Sequence, residues 1–437
     1  MPRHVLSTKS GVVMGWMVSQ IGAREHYATA VGLEVYSTLD QLYTDAWCRL
    51  PLSSIPKLPG PMVRYAGRAD RRIRSVKSYE LQLGPSHIRS AVAHRFSRNY
   101  AHELRCIEIG RRFDTLVRKD LRRRRFDPNK DAFFGYFGGA LESLRYLGDQ
   151  GVPTILDQTG CGRSYYEEVA AERLLWPEWE GRPPTIHEAY FDRAHDEWKA
   201  ASAVVVNSNW ARKSALKEGC SPDKIFVLPL AYDAPSLKVG ARPPRPHGRL
   251  KVMWLGRVIL SKGIQYLLLA AQLLPEVDFI VAGQIGVDAN VLRKATPSNV
   301  KFLGPIPRSH AAEFLTSGDL FVLPTLSDSF ALTQLEAMSA GLPVITTDRC
   351  GDVVTDGQNG YIVPVRDPYA IANAVARLDC DRNMLKEFSR LAVIRARQLS
   401  LTKYVENLET IRRGICPAPA MRDGSRGSDP FQAATVW

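Results

Sequence analysis

One stretch limits the fold more than any other: Leu323-Pro-Thr-Leu-Ser-Asp-Ser-Phe-Ala-Leu-Thr-Gln-Leu-Glu-Ala-Met-Ser-Ala-Gly-Leu-Pro-Val-Ile345. It reads as strand, loop, helix, glycine stop and strand. Phe321 to Leu323 is an apolar run of the length a buried parallel strand takes. Ser327, Asp328 and Ser329 offer N-cap side chains, and Ala331 to Ala340 is built of helix formers. Gly341-Leu-Pro343 stops the helix, and Val344 to Thr347 is the next strand. Asp328 stands just before the helix and Glu336 about a turn inside it. Free backbone N–H groups at a helix start, together with the positive end of its dipole, favour a phosphate. A carboxylate one turn further in is placed to grip a sugar hydroxyl. The stretch therefore reads as a nucleotide site.

A chain of 437 residues exceeds one typical core, so two domains are expected. Its 45% hydrophobic and 24% charged residues are ordinary for a globular protein. No apolar run reaches the roughly 20 residues of a membrane helix, and Met1 to Ser10 lacks the apolar core of a secretory signal. Seven cysteines, widely spaced and odd in number, suggest neither a disulfide framework nor a zinc site. A reducing cytosol is the simplest reading. Residues 49–125 hold 20 Lys and Arg against 6 Asp and Glu, which accounts for the whole net charge of +13. Such a region is either a solvated surface or an attraction for anionic membrane or a polyanionic substrate. Residues 64–125 contain no recognisable nucleic-acid module, so no nucleic-acid partner is expected.

Along the chain, Val12 to Val18 reads as a first buried strand, followed by a loop with Gly22, Arg24, Glu25 and His26, then a helix from Ala28 to Leu33. Strand, glycine turn and helix make a Rossmann-type opening, although the full G-x-G-x-x-G is absent. Periodicity is poor from Ser37 to Arg125, apart from amphipathic helix within Ile88 to Leu121. Strands at 132–136, 152–156, 203–207 and 224–228 then alternate with helices at 141–148, 167–176, 188–200 and 210–218. That alternation indicates a parallel sheet. Four prolines at 235–246 mark a linker over 236–249. The expected organisation is a domain over 1–235, a second over 250–400, a closing helix in 401–416 and a disordered tail over 417–437.

In the second half, strands at 250–255, 278–282, 300–303 and 321–323 end in Gly256-Arg257, Gly283, Gly304 and the loop before Ala331. Carboxyl ends of parallel strands lie along one edge, so these residues can converge. Arg257 and Lys262, in one strand-to-helix turn, would supply cations for a diphosphate. Either alone could equally be a surface cation.

Gly256-Arg-Val-Ile-Leu-Ser-Lys-Gly263 resembles the G-R-x4-K-G turn of the large retaining glycosyltransferase family 4. Asp328-x7-Glu336 with the trailing Ala-Met-Ser-Ala-Gly-Leu-Pro-Val-Ile resembles that family's E-x7-E motif and its continuation. Ala203 to Ser208 and Lys224 to Pro229 are also similar to family segments. The resemblance covers about residues 200–415. It implies an α/β fold of GT-B architecture: two Rossmann-like domains facing across a cleft, with a last helix, here Thr402 to Arg413, crossing back. It implies transfer of a sugar from a nucleoside diphosphate sugar, the co-substrate, to a glycan, polysaccharide or lipid-linked hydroxyl with retained configuration and no metal or other cofactor. Arg257 and Lys262 would hold the diphosphate, Asp328 the transferred sugar and Glu336 the ribose. Gly22, Gly256, Gly283 and the N–H groups of Phe330, Ala331 and Leu332 would approach the donor. Arg24, His26 and Gln158 are acceptor-side candidates. The chain departs from the family's pattern in three places. Asp328 stands for the usual Glu, Ser329 and Ala331 for usual glycines, and Gln158 where a histidine is common. A nucleotide-sugar epimerase or phosphorylase on the same fold, or a non-catalytic basic protein binding membrane or polyanion, are the rival readings.

Overall fold

The computed structural model describes residues 15–48, 69–84, 102–181, 187–232 and 248–416. The first sheet has seven strands: β1 (Gly15–Gln20), β2 (Leu39–Thr44), β3 (Val76–Ser78), β4 (Asp131–Tyr136), β5 (Thr154–Asp157), β6 (Ala203–Val206) and β7 (Ile225–Val227). Every pairing is parallel and the spatial order is β3-β2-β1-β4-β5-β6-β7. Its helices are α1 (Ala28–Val35), α2 (His102–Leu121), α3 (Leu141–Asp149), α4 (Gly162–Leu175), α5 (Pro177–Glu180), α6 (Glu188–Ala200) and α7 (Asn209–Lys217).

The second sheet comprises β8 (Lys251–Leu255), β9 (Asp278–Ala282), β10 (Val300–Gly304), β11 (Leu320–Leu323), β12 (Val344–Thr346) and β13 (Gly360–Ile362). Its order, β10-β9-β8-β11-β12-β13, repeats the plan of the first with all strands parallel. Around it lie α8 (Ile264–Gln272), α9 (Ala289–Ala295), α10 (Arg308–Thr316), α11 (Leu332–Ser339), α12 (Pro368–Cys380) and α13 (Arg382–Gln398). In both sheets the order reverses beside the first strand, the crevice where open α/β sheets bind ligands.

The apolar runs read from the sequence become central strands because both sheet faces are covered. Phe133, Leu144 and Leu156 pack on one face of the first sheet, while Trp16, Val31 and Phe134 pack on the other. Trp254, Phe279, Phe321 and Leu335 centre the second core. The last helix, α14 (Leu401–Ile415), leaves the second domain and packs on α1. There Tyr404, Val405 and Leu408 are buried in the first domain's core, each worth about 1.5–3 kcal/mol of apolar burial. The Tyr404 hydroxyl also lies 2.9 Å from Thr29 Oγ1. In the opposite sense, Trp176 and Trp179 at the end of α4 and in α5 pack against the second core.

Several expectations are corrected. The described part of the first strand runs Gly15–Gln20, so it continues past Val18, where the loop was expected. The region 37–125 contains β2 and β3, which poor periodicity concealed. Ser327, Asp328 and Ser329 are not the cap of α11: the N-cap is Ala331, left-handed at φ 57°, with no side-chain cap. The 236–247 part of the linker, the 417–437 tail, the basic residues Arg64 and Arg68, and residues 88–101 lie outside the described residues. Among the described residues no helix is long and apolar enough to cross a membrane.

Candidate functional site

The turn after β8 is shaped by close backbone approach. A Cβ on Gly283 would come within 1.6 Å of Gly256 O, so two strand ends press together there. Gly263 is left-handed, and a Cβ on it would lie 1.9 Å from Pro324 O. Glycine at that point lets the short 3-10 turn Leu260–Lys262 sit directly on the loop that follows β11. The Ser261 carbonyl fixes this contact, accepting from Leu326 N at 2.9 Å and Thr325 Oγ1 at 3.0 Å. Lys262 and Asp328, 66 residues apart, consequently form an ion pair.

This pair borders a cavity of about 410 Å³ between the domains. From the second domain it is lined by Arg257, Lys262, Ser327 and Asp328, and from the first by Arg24, Gln158, Thr159 and Tyr165. Burial pushes the Lys262 ammonium down to about 8, with Cys350 and Cys161 opposing the fall and Arg257 adding to it. Arg24 donates to Thr159 Oγ1 at 2.6 Å. Gln158 is buried, with its Oε1 accepting from Trp198 Nε1 at 2.9 Å. Its amide is thereby oriented.

A second cavity, of about 590 Å³, also opens between the domains and holds Glu336, Leu332 and Arg308 opposite Glu25 and His26. Burial raises the Glu336 carboxyl and Arg308 opposes the rise. His26 is pushed down to about 4 by desolvation and by the nearby Arg308 cation, so its ring is neutral at pH 7. Beneath it, burial raises both the Glu25 and the Asp157 carboxyls; Glu25 raises Asp157 further, while the Tyr136 hydroxyl and Arg24 oppose the rise at Glu25. Glu25 is held by Tyr136, whose hydroxyl donates to Oε2 at 3.1 Å.

The residues singled out from the sequence thus separate into two groups. Arg257, Lys262, Asp328, Arg24 and Gln158 share the first cavity, and Glu336, Leu332 and His26 share the second. Gly256 and Gly283 stand behind them at strand ends. Gly22 lines neither, and its N–H donates to Asp45 Oδ1 at 2.8 Å. Phe330 is buried, with its carbonyl accepting from Gly351 N at 3.1 Å. Ala331 begins α11, whose first-turn N–H groups have no side-chain cap. Arg308 was missed, although it follows the carboxyl end of β10 by the same rule that picked out Gly304. Tyr165 was missed because no motif marks it.

Facing parallel sheets, a cleft between them and a helix crossing back define the GT-B class of glycosyltransferase fold. Solved structures agree over nearly the whole chain. Sucrose-phosphate synthase from Thermosynechococcus elongatus superimposes with a TM-score of 0.63 at 17% identity, covering 92% of this chain and 99% of that one. HepE from Anabaena, solved with UDP, gives 0.57 at 14% identity over 92% and 100%. Residues 249–381, within the second domain, match the family Glycosyl transferases group 1. Curated relatives include a D-inositol 3-phosphate glycosyltransferase from Acidothermus cellulolyticus, 28% identical over 49% of this chain and 54% of its own length. Another is a phosphatidylinositol N-acetylglucosaminyltransferase component from Arabidopsis thaliana, 27% identical over 35% of each chain. The match therefore spans about half of these relatives or less.

Proposed function

We propose that the protein is a retaining, metal-independent glycosyltransferase of the hexosyltransferase class. It would move a sugar from a nucleoside diphosphate sugar to a hydroxyl of a glycan, polysaccharide or lipid-linked acceptor. The observation that carries this reading is the Lys262–Asp328 pair beside Arg257, at the carboxyl edge of a group 1 domain and facing the first domain across a cavity. Two preorganised cations in a partly dry site stabilise charge developing on a departing diphosphate more than they stabilise the ground state. Glu336, in the neighbouring cavity, takes the ribose hydroxyls, and the uncapped N–H groups at the start of α11 meet phosphate.

In the step itself the bond from the anomeric carbon to the diphosphate oxygen breaks, and the bond to the acceptor oxygen forms on the same face. The acceptor's proton passes to the leaving phosphate. Asp328, freed from Lys262 as the diphosphate takes the ammonium, turns to the transferred sugar. Neutral His26 and the oriented Gln158 amide hydrogen-bond the acceptor. Arg111, Arg112 and Lys119 on the exposed face of α2, followed by Arg122, Arg123 and Arg125, suit peripheral contact with an anionic membrane on its cytoplasmic side.

A thermal-shift screen of nucleotide-sugar donors tests the reading, since a bound donor stabilises the fold in proportion to its affinity. UDP-sugars come first, because HepE was solved with UDP. The expected result is stabilisation by one donor class, followed by an acceptor-linked product of retained anomeric configuration formed in EDTA. An epimerised free sugar nucleotide, or a sugar phosphate made from inorganic phosphate, would move the protein to the rival enzyme classes. Flotation with vesicles containing and lacking phosphatidylserine tests the membrane contact.

A further inference from the structure

The turn that carries Lys262 is gripped by side chains from the chain of the other domain. Glu172, in α4, is fully buried. Its Oε1 accepts from Gln265 Nε2 at 2.8 Å and from the Tyr266 hydroxyl at 2.6 Å, and its Oε2 accepts from Arg366 Nε at 2.8 Å. Gln265 relays this anchor, because the same Nε2 also donates to Leu260 O at 3.2 Å. Glu180, at the end of α5, accepts directly from Leu260 N at 2.5 Å through Oε1, while its Oε2 is held by Arg173 Nε at 3.0 Å. Both backbone groups of Leu260, two residues before Lys262, are therefore held by carboxylates of the 162–181 segment, one directly and one through Gln265. Tyr165 adds a contact of 3.5 Å between its hydroxyl and Ser261 Oγ.

Glu172 carries its carboxylate at a fully buried position. An apolar side chain there would pack at no desolvation cost, whereas a buried charge persists only when donors converge on it. Here three donors do, and one of them, Arg366, holds a left-handed φ of 61° beside it. A hinge between two domains would ordinarily leave such a turn free to shift with its own sheet. We infer that Glu172 and Glu180 are positioning residues for Lys262, fixing the height and direction of its turn so that the ammonium meets the diphosphate when the donor enters. This inference rests on the reading of Lys262 as a diphosphate ligand.

The groups facing Lys262 are Asp328 from the loop after β11, Arg257 from its own turn, Cys161 ahead of α4, and Cys350. Neither Glu172 nor Glu180 is among them, so a change at either reaches Lys262 only through the turn. A turn released from its clamp lets water reach the ammonium, which returns its titration towards the ordinary lysine range.

The test is calorimetric titration with UDP from pH 7 to 9.5 on the full chain and on Glu172→Gln, Glu180→Ala and Lys262→Ala, with thermal unfolding of each. In Glu172→Gln the amide NH2 replaces one of the two oxygens, so it faces either Arg366 or the Gln265–Tyr266 pair, all donors, and the grip is weakened without a change of volume. The expected outcome is UDP binding about tenfold weaker at pH 7 in both clamp variants, as a misplaced contact gives. The pH at which affinity starts to fall should also lie about one unit or more above that of the parent chain. A folded variant with lower stability but unchanged affinity and unchanged pH break overturns the inference. Should Glu172→Gln fail to fold, Glu180→Ala decides alone, because that side chain belongs to the four-residue α5 rather than to the buried face of α4. If Lys262→Ala binds UDP as the parent does, the diphosphate reading itself fails, which is a separate result.

Discussion

The two domains share a strand order, yet the turns after their first strands solve opposite problems. In the second domain, Gly256 and Gly263 supply the unusual backbone, and Arg257 and Lys262 supply the charge. In the first, three consecutive residues with side chains, Glu25, His26 and Tyr27, are left-handed at φ 48°, 54° and 61°. Each such residue costs about 1–2 kcal/mol, a strain that persists only because the surroundings over-determine it. Tyr27 is buried edge-on against Trp47 at 5.1 Å, and Glu25 is tied to Tyr136. One turn is relaxed and cationic. The other is strained and offers a buried carboxyl and a neutral imidazole. The difference teaches that a shared topology fixes where a ligand lies but leaves its chemistry to the residues of two short loops.

The largest expected break in that comparison is Lys262→Ala. It removes the second turn's partly buried cation and leaves Asp328 unpaired, so turnover should fall by about 10²–10³-fold while Tm changes little. Steady-state kinetics with the donor found by screening checks this. Glu336→Gln keeps the shape of the second cavity and loses one charged acceptor. UDP affinity by calorimetry should weaken about tenfold, the worth of a charge-assisted hydrogen bond. On the first-domain side the effect is a displaced titration. The ring resonances of His26 should shift with a midpoint near 4, leaving no inflection between pH 5.5 and 7.5, and Arg308→Ala should raise that midpoint. A midpoint at the ordinary histidine value would mean that the strained turn is more open than its packing indicates. The smallest change is Ala331→Gly. It relieves a left-handed alanine at the start of α11 and should raise stability by at most about 1 kcal/mol, read by denaturant unfolding.

What the sequence disclosed follows from how evenly each element is buried. β9 and β6 were legible to within a residue because Phe279, Val281 and Ala203 to Val206 are all buried, and uninterrupted apolar runs say so. β2 was not, because only Leu42, Tyr43 and Thr44 of its six residues are buried while Asp40 faces solvent. β13, three residues at the edge of its sheet, carries too little pattern to read. At the site, spacing within one turn put Arg257 and Lys262 together. Spacing could not reveal that Asp328 touches Lys262, since that contact depends on Gly263 seating against Pro324. The cap was misread for a related reason. Ser327 accepts from Trp210 Nε1 across the cleft at 3.1 Å, and Asp328 binds Lys262 of the neighbouring turn, so the side chains that suit a helix start are spent elsewhere. Glu172 looked like any polar residue on an amphipathic helix, and only its three converging donors distinguish it.

The crossing of α14 sets the order in which the molecule can be completed. The first domain's sheet is made early, but Tyr404, Val405 and Leu408, which close one of its faces, come from the 401–415 segment. While the chain is being synthesised, that face stays bare until the whole second domain has been made. A nascent first domain therefore displays Val31, Leu33 and neighbouring apolar side chains to the cell for the entire interval, and is a natural client for chaperones during it.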